Sequence, residues 1–389
     1  MAPLLSPKTG GPNQAPSASP GAPQSQAAAL PFPIASRRMT RLSFSIPTTT
    51  LAAATATPLN PIQIPAVGYL SHINLEVSIV TVGASTVTAD GPFNILQNVE
   101  FRTAAGNDLI VPLTGYQLYL INKYGAQFAQ PPMSDAKATN QFAQVTPGTL
   151  HFFLQIPLEI DPSQAFGAIP ALASNRSYQL AITGAGISTT FTGGPTATLQ
   201  INGTAYFWSE PVAQTQSGLV QATEPAGLGS YSQWQLETPA VTPGDKYIKS
   251  NNVGNTLRTL IFTLRNSSGV RIGAATDWPA VSELYLDNEP MFYFTRNEWL
   301  DLMAKWYSFN VTTFDTVNGL DTGVYVIPFF ALASNFAGVT ESRAQYLPTL
   351  DSSQLQLRGT SYGAAASVLE IITQSIVPTS SSVLYGRLS

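Results

Sequence analysis

Leu150, Phe152, Leu154, Ile156, Leu158 and Ile160 alternate along eleven residues, with His151, Gln155 and Glu159 on the opposite face. A period of two over such a length is the pattern of a half-buried strand. Ile73, Leu75, Val77 and Ile79 repeat it, as do Leu199, Ile201, Ala205 and Phe207, and later Leu260, Phe262 and Leu264. The apolar runs at 324–330 and 368–377 read as further strands. Pro and Gly clusters such as Thr146-Pro147-Gly148 and Gly193-Gly194-Pro195 supply turn chemistry between them. The pattern predicts an all-β protein: strand after strand over 42–212, and again over 231–385.

Two segments break the period of two. Thr114 and Thr295 each precede a helical pattern, where a hydroxyl caps free backbone N–H groups. Trp299, Leu302, Met303 and Trp306 form one apolar stripe, and Glu298 stands at capping-box spacing from Thr295. In the earlier segment Tyr116, Leu120 and Tyr124 recur every fourth residue. Helices this short need a sheet to dock on, so Tyr116, Leu120, Tyr124, Trp299, Leu302 and Trp306 are the expected docking residues.

Both helical segments follow a strand–turn–strand unit: 94–101 and 108–111 in the first case, 281–286 and 291–294 in the second. Leu118, Leu120, Ile121 and Lys123 read in step with Leu300, Leu302, Met303 and Lys305. Downstream, Ile156-Pro157-Leu158 matches Ile327-Pro328-Phe329, and the segment 179–184 matches 354–359. Leu199-Gln200-Ile201 matches Leu369-Glu370-Ile371. The order is kept while the offset drifts, as loop insertions cause. The chain reads as a duplication: two tandem eight-stranded sandwiches, each with a short flanking helix.

Composition adds an arm and a linker. Residues 1–36 are rich in Pro, Ala, Ser, Gln and Gly and have little to bury. Arg37, Arg38 and Arg41 follow as the tightest basic cluster, a candidate contact to nucleic acid, lipid headgroups or a neighbouring subunit. The expected divisions are an arm at 1–41, a first domain at 42–212, a linker at 213–230 and a second domain at 231–389. Charged residues make up only 10% of the chain, which suits a surface largely covered by neighbours or a dense β-sandwich. The net charge of −4 gives no reason to expect a nucleic-acid-binding body.

Catalytic chemistry is sparse. The chain has no cysteine, so disulfides and thiolate metal sites are excluded. Its two histidines, His72 and His151, lack a second ligand at metal spacing. Gly359-Thr360-Ser361-Tyr362-Gly363 fits a nucleophile-elbow pattern, but no histidine follows it. Acid pairs such as Asp287/Glu289 and Glu159/Asp161 have the residue types for glycoside hydrolysis, but spacing alone does not place them across a cleft, and acids at strand ends are usually solvated. No cofactor is expected. No apolar run reaches about 18 residues and no secretory signal pattern opens the chain, so synthesis and folding in a cytoplasm are expected.

These features together resemble the double jelly-roll major capsid proteins of tailless, icosahedral double-stranded DNA viruses, the tectivirus–adenovirus lineage. The carriers are Asn98-Val99-Glu100-Phe101 through Tyr124, Glu283 through Tyr307, and the paired Ile156-Pro157 and Ile327-Pro328. The resemblance implies two jelly rolls over about 42–385 and a homotrimer whose six rolls make a pseudo-hexagonal capsomer. It implies a structural viral protein in a virion, such as that of a bacteriophage, made in the host cytoplasm. Partners would be neighbouring capsomers and minor capsid or vertex proteins. The arm would face inward, toward an internal membrane or the genome. The long Pro-rich arm departs from the family's amphipathic N-terminal helix. Two rivals remain: a single jelly-roll coat protein with a protruding domain, and a carbohydrate-binding or carbohydrate-cleaving β-sandwich in which Trp208, Trp234 or Trp278 stacks on sugars.

Overall fold

The computed structural model describes residues 30–377, apart from 66, 104–107, 126–147, 173–176, 212–223, 226, 229, 274–275, 308–322, 333–342 and 364–366. Most of the expected arm and linker therefore lies outside the described residues. After α1 (Phe32–Ala35) come β1 (Arg38–Thr50), β2 (Ile62–Ile64), β3 (Tyr69–Val82), β4 (Leu96–Arg102) and β5 (Asp108–Leu113). Then follow α2 (Gly115–Tyr124), β6 (Gly148–Pro157), β7 (Tyr178–Gly184), α3 (Ile187–Thr190) and β8 (Thr196–Trp208). The second half comprises β9 (Tyr231–Glu237), β10 (Gly244–Ser250), β11 (Thr256–Asn266), β12 (Val281–Leu286) and β13 (Glu289–Thr295). It continues with α4 (Arg296–Tyr307), β14 (Val324–Pro328), β15 (Leu355–Tyr362) and β16 (Ser367–Val377). Short two-residue pairings decorate these principal strands.

The strand order repeats. In the first half one sheet runs β1-β8-β3-β6 and the facing sheet β2-β7-β4-β5; in the second half the sheets run β9-β16-β11-β14 and β10-β15-β12-β13. Each second-half strand sits where its counterpart eight strands earlier sits, so the duplication inferred from short apolar patterns is present in the topology. The first sandwich begins at Arg38 rather than 42, because Met39 already pairs with Phe207 in the ladder. Residues expected in the arm are thus part of the fold. Phe32 of α1 is buried, its ring 5.2 Å from Tyr69 and 5.8 Å from Trp208.

Alternation explains most strands. In β3 Ile73, Leu75, Val77 and Ile79 are buried and the residues between them half-buried, and in β8 Leu199, Ile201, Ala205 and Phe207 are buried with half-buried polar residues between them. Strand β11 differs in kind: nine consecutive positions from Thr256 are buried, which requires cover on both faces of the sheet. One face meets Leu284, Leu355 and Leu357 of its own sandwich. The other lies against the first half of the chain. The two sandwiches are also joined edge to edge, since β5 and β9 pair in parallel at Ile110 and Trp234. One sheet therefore runs continuously from β14 to β2, and one hydrophobic cluster spans both sandwiches.

The two helices differ in burial. All ten residues of α2 are buried, whereas α4 buries Trp299, Met303, Trp306 and Tyr307 and leaves Asn297, Glu298, Asp301 and Lys305 exposed. The apolar stripe alone did not show that α2 would be covered all round. Leu302 is only partly buried. The caps also correct the helix register: Thr114 and Thr295 are equivalent, so Leu118 is the fourth helical residue and Leu300 the fifth. Gly115 is required for the close seat of α2, since a Cβ there would lie 2.0 Å from the Phe93 carbonyl oxygen.

Trp299 anchors α4. It is fully buried, packs on Phe294 and Phe262, and donates through Nε1 to the Val326 carbonyl at 2.8 Å. Replacing it with Ala should lower stability by about 3–5 kcal/mol in urea unfolding. Lys305→Ala, on the exposed face of the same helix, should stay within about 0.5 kcal/mol.

Candidate assembly surfaces

The seam between the sandwiches is built around α2. At its N-terminus Thr114 Oγ1 accepts from Gln117 N at 3.2 Å, while Gln117 Oε1 accepts from Thr114 N at 2.9 Å, a reciprocal capping box. The Gln117 amide then donates through Nε2 to Glu370 Oε1 of β16 at 2.9 Å. At the C-terminus, Arg258 of β11 donates through Nη1 to the Gly125 carbonyl at 3.1 Å and to Gln374 Oε1 at 2.7 Å. Tyr307 of α4 donates to the Tyr124 carbonyl at 2.7 Å. A helix end buried without partners is costly; here the second sandwich supplies several of those partners. In the middle, Asn122 bonds both backbone groups of Gln155 on β6.

An ion network crosses the same seam. Asp90, in the first sandwich, meets Arg265 Nη1 at 2.5 Å and Arg271 Nε at 3.0 Å, both from the second sandwich. Arg265 Nε also meets Glu370 Oε2 at 2.8 Å. Burial would weaken the charged form of Arg265, but Asp90 and Glu370 outweigh it and hold its pKa raised. Burial pushes the Glu370 pKa up against the pull of Arg265. Removing one member of such a buried set strands the others, so the network favours one relative placement of the two sandwiches.

The expected basic cluster lies where the chain enters the first sandwich. Arg37, Arg38 and Arg41 are all exposed. Between the inward-packed Met39 and Leu42 the strand carries a bulge, so Thr40 and Arg41 both face outward. Arg38 lies 4.5 Å over the Trp208 ring and donates to the Pro162 carbonyl, and Arg41 Nε contacts Met39 Sδ. Beneath them Glu159 is buried, accepting from Trp208 Nε1 at 2.7 Å and from the Ser71 hydroxyl. Burial raises its pKa, against the hydrogen bonds and Arg38. His72 stacks on Tyr206 at 4.4 Å, and burial lowers its pKa to about 4. Neither this buried carboxyl nor the seam network was visible in the sequence, because their partners are 49 to 253 residues away.

The candidate chemistries do not assemble. His151 contacts Ser78, and among the described residues no group of three metal-ligating side chains comes together. Ser361, the penultimate residue of β15, sits at φ +61° with its N–H donating to Asp245. Asp287 holds the turn before β13, accepting from Ser353 and Gln354 N–H groups that lower its pKa. Trp208, Trp234 and Trp278 are buried, so the proposed sugar platform is core packing.

The strand order and the fused pair of sandwiches now stand beside known structures. The chain is similar to the major capsid protein of STIV, Sulfolobus Turreted Icosahedral Virus, with TM-score 0.55 and 15% identity over 88% of this chain and 97% of that one. It is similar to the PBCV-1 virus capsid at TM-score 0.55 and 14% identity, covering 87% and 94%. The Faustovirus major capsid protein matches at TM-score 0.51 and 10% identity, covering 86% and 90%. The fold is the double jelly roll. No family model and no curated protein sequence matches the chain.

Glu159 gives the entry point a pH signature. Its folded pKa is raised, so its stabilising contribution is complete below the ordinary glutamate range and is lost as pH rises through the raised value. Glu159→Gln removes that loss. Urea midpoints measured from about pH 4 to pH 7 should fall less steeply in the variant than in the parent.

Proposed function

We propose that the chain is a major capsid protein of an icosahedral virus, acting without catalysis as a homotrimeric capsomer in the virion shell. The observation that carries this reading is the seam: two sandwiches of identical strand order are locked into one block by a shared sheet and a buried helix. Three such blocks present six similar units around a ring. Low charge supports it, because lateral faces buried between subunits disfavour unpaired charges. The structures it resembles are capsid proteins, at identities that bear on fold alone. Neighbouring capsomers and minor capsid or vertex proteins are the proposed partners.

Light scattering on purified protein should give about 124 kDa, three times the 41.4 kDa chain. Electron microscopy of assembled material should show pseudo-hexagonal units. A stable monomer at high concentration would count against the capsomer. The buried tryptophans remove the main support for the carbohydrate reading.

The segment ahead of the first sandwich is proposed to face the particle interior, toward a membrane or the genome, with Arg37, Arg38 and Arg41, at its junction with β1, against an anionic surface. Support comes from the exposure of all three at the point where the chain enters the sandwich. Changing all three to Gln should weaken assembly more at low salt than at high salt. Rapid proteolytic removal of the arm from intact particles, without loss of stability, would rule the placement out.

A further inference from the structure

The two jelly rolls match in topology but not in what covers them. In the second roll, the outer face of β9-β16-β11-β14 is buried: Thr259, Ile261, Thr263, Ile372 and Gln374 are each at most 1% exposed. The cover is α2 of the first roll, through Gln117, Tyr116 and the C-terminal turn. In the first roll the equivalent face, on β1-β8-β3-β6, carries Val80 at 44% and Phe153 at 51% exposure. Its polar positions, Gln200, Asn202 and Ser78, are half-buried at most. The helix equivalent to α2 is α4, whose outer side is exposed. Each chain thus has one seat already filled by its own helix, one unfilled seat and one helix with an uncovered face.

The register places individual residues. Leu51, just after β1, bonds Ala197; Val241, at the same place after β9, pairs with Ser367. Three residues further along β8 and β16 stand Gln200 and Glu370. Their neighbours on the next strand, Ser78 and Thr263, are also alike. On the helix side, Gln117 and Glu298 are each the third residue, and each donates its N–H to the capping threonine. The Gln117–Glu370 pair therefore has a mirrored counterpart in Glu298 and Gln200, with amide and carboxylate exchanged.

The strand edges agree independently. Within the chain β5 meets β9 in parallel. Their counterparts β13 and β1 are the terminal strands of their sheets, and β13 displays Met291 and Tyr293 at 38% and 59% exposure.

We infer that the outer face of the β1-β8-β3-β6 sheet is the seat for α4 of a second copy of this chain. In that contact Gln200 donates to Glu298 of the second copy, and β13 runs beside β1. The inference rests on the capsid reading and names the surface by which its subunits join. The contact is head-to-tail, so each copy gives one helix and receives one, and a ring closes without a self-complementary patch.

Two experiments test it. Gln200→Glu sets two carboxylates against each other and should raise the concentration at which trimers dissociate by about tenfold or more. Adding Glu298→Gln recreates the pairing found within the chain and should return that concentration to the parental value. Because the chain has no cysteine, Gln200→Cys and Glu298→Cys can be placed together in one chain. A short bismaleimide should then link the copies into a covalent trimer, while neither single variant should cross-link. Trimers by light scattering that resist both Gln200→Glu and cross-linking would overturn this interface and leave the capsid reading standing. Monomers under all conditions would overturn both.

Discussion

A helix buried on every side must find partners for the backbone groups at both of its ends. In this chain that requirement falls on α2, and much of the architecture follows from it. Its first turn is closed by its own capping box, and the capping glutamine is then held by Glu370. Its last turn is held by Arg258 and Tyr307. Three of these partners come from the other jelly roll, so moving the rolls apart would bare buried carbonyls and an amide as well as apolar surface. The Asp90–Arg265–Glu370 network adds the same constraint in charge. Apolar packing supplies attraction along the seam, but directional bonds determine which placement satisfies it.

A rigid pair of similar units suits a shell. Shell proteins work by shape and repeated contact, and a flexible hinge between rolls would spread each capsomer over many geometries. The surface is consistent with that use. It has few charges, and exposed apolar side chains occur on both outer sheets, Val80, Val82 and Phe153 on one and Tyr247, Met291 and Tyr293 on the other. The titratable groups with shifted pKa values are structural: Glu159 is enclosed by Trp208 and Ser71, and Glu370 by the seam.

The fold was legible because strand alternation is a local signal. The segments at 73–79, 150–160 and 199–207 each carry their period without reference to the rest of the chain, and the duplicated order was visible as matched short motifs. What stayed hidden was the relation between the copies. Nothing in Tyr116, Leu120 and Tyr124 distinguishes a helix docked on one sheet from one enclosed by two, and the polar Gln117, Asn122 and Lys123 carry no local sign that they too are buried. The nine buried residues of β11 were the clearest available hint, since Thr259, Ile261 and Thr263 lie opposite an already apolar face. The arm boundary was set too late because the basic cluster was read as the end of the arm, while the ladder already begins at Arg38, with Met39 and Leu42 turned inward.

Hydrogen exchange on the α2 amides tests the locked seam most directly. If the seam makes the two jelly rolls one block, these amides exchange only with global unfolding, at the same free energy as the central strands β3 and β11. Exchange of α2 through a lower-energy opening, with β3 and β11 still protected, would show that the rolls separate in the native state and would contradict the rigid block.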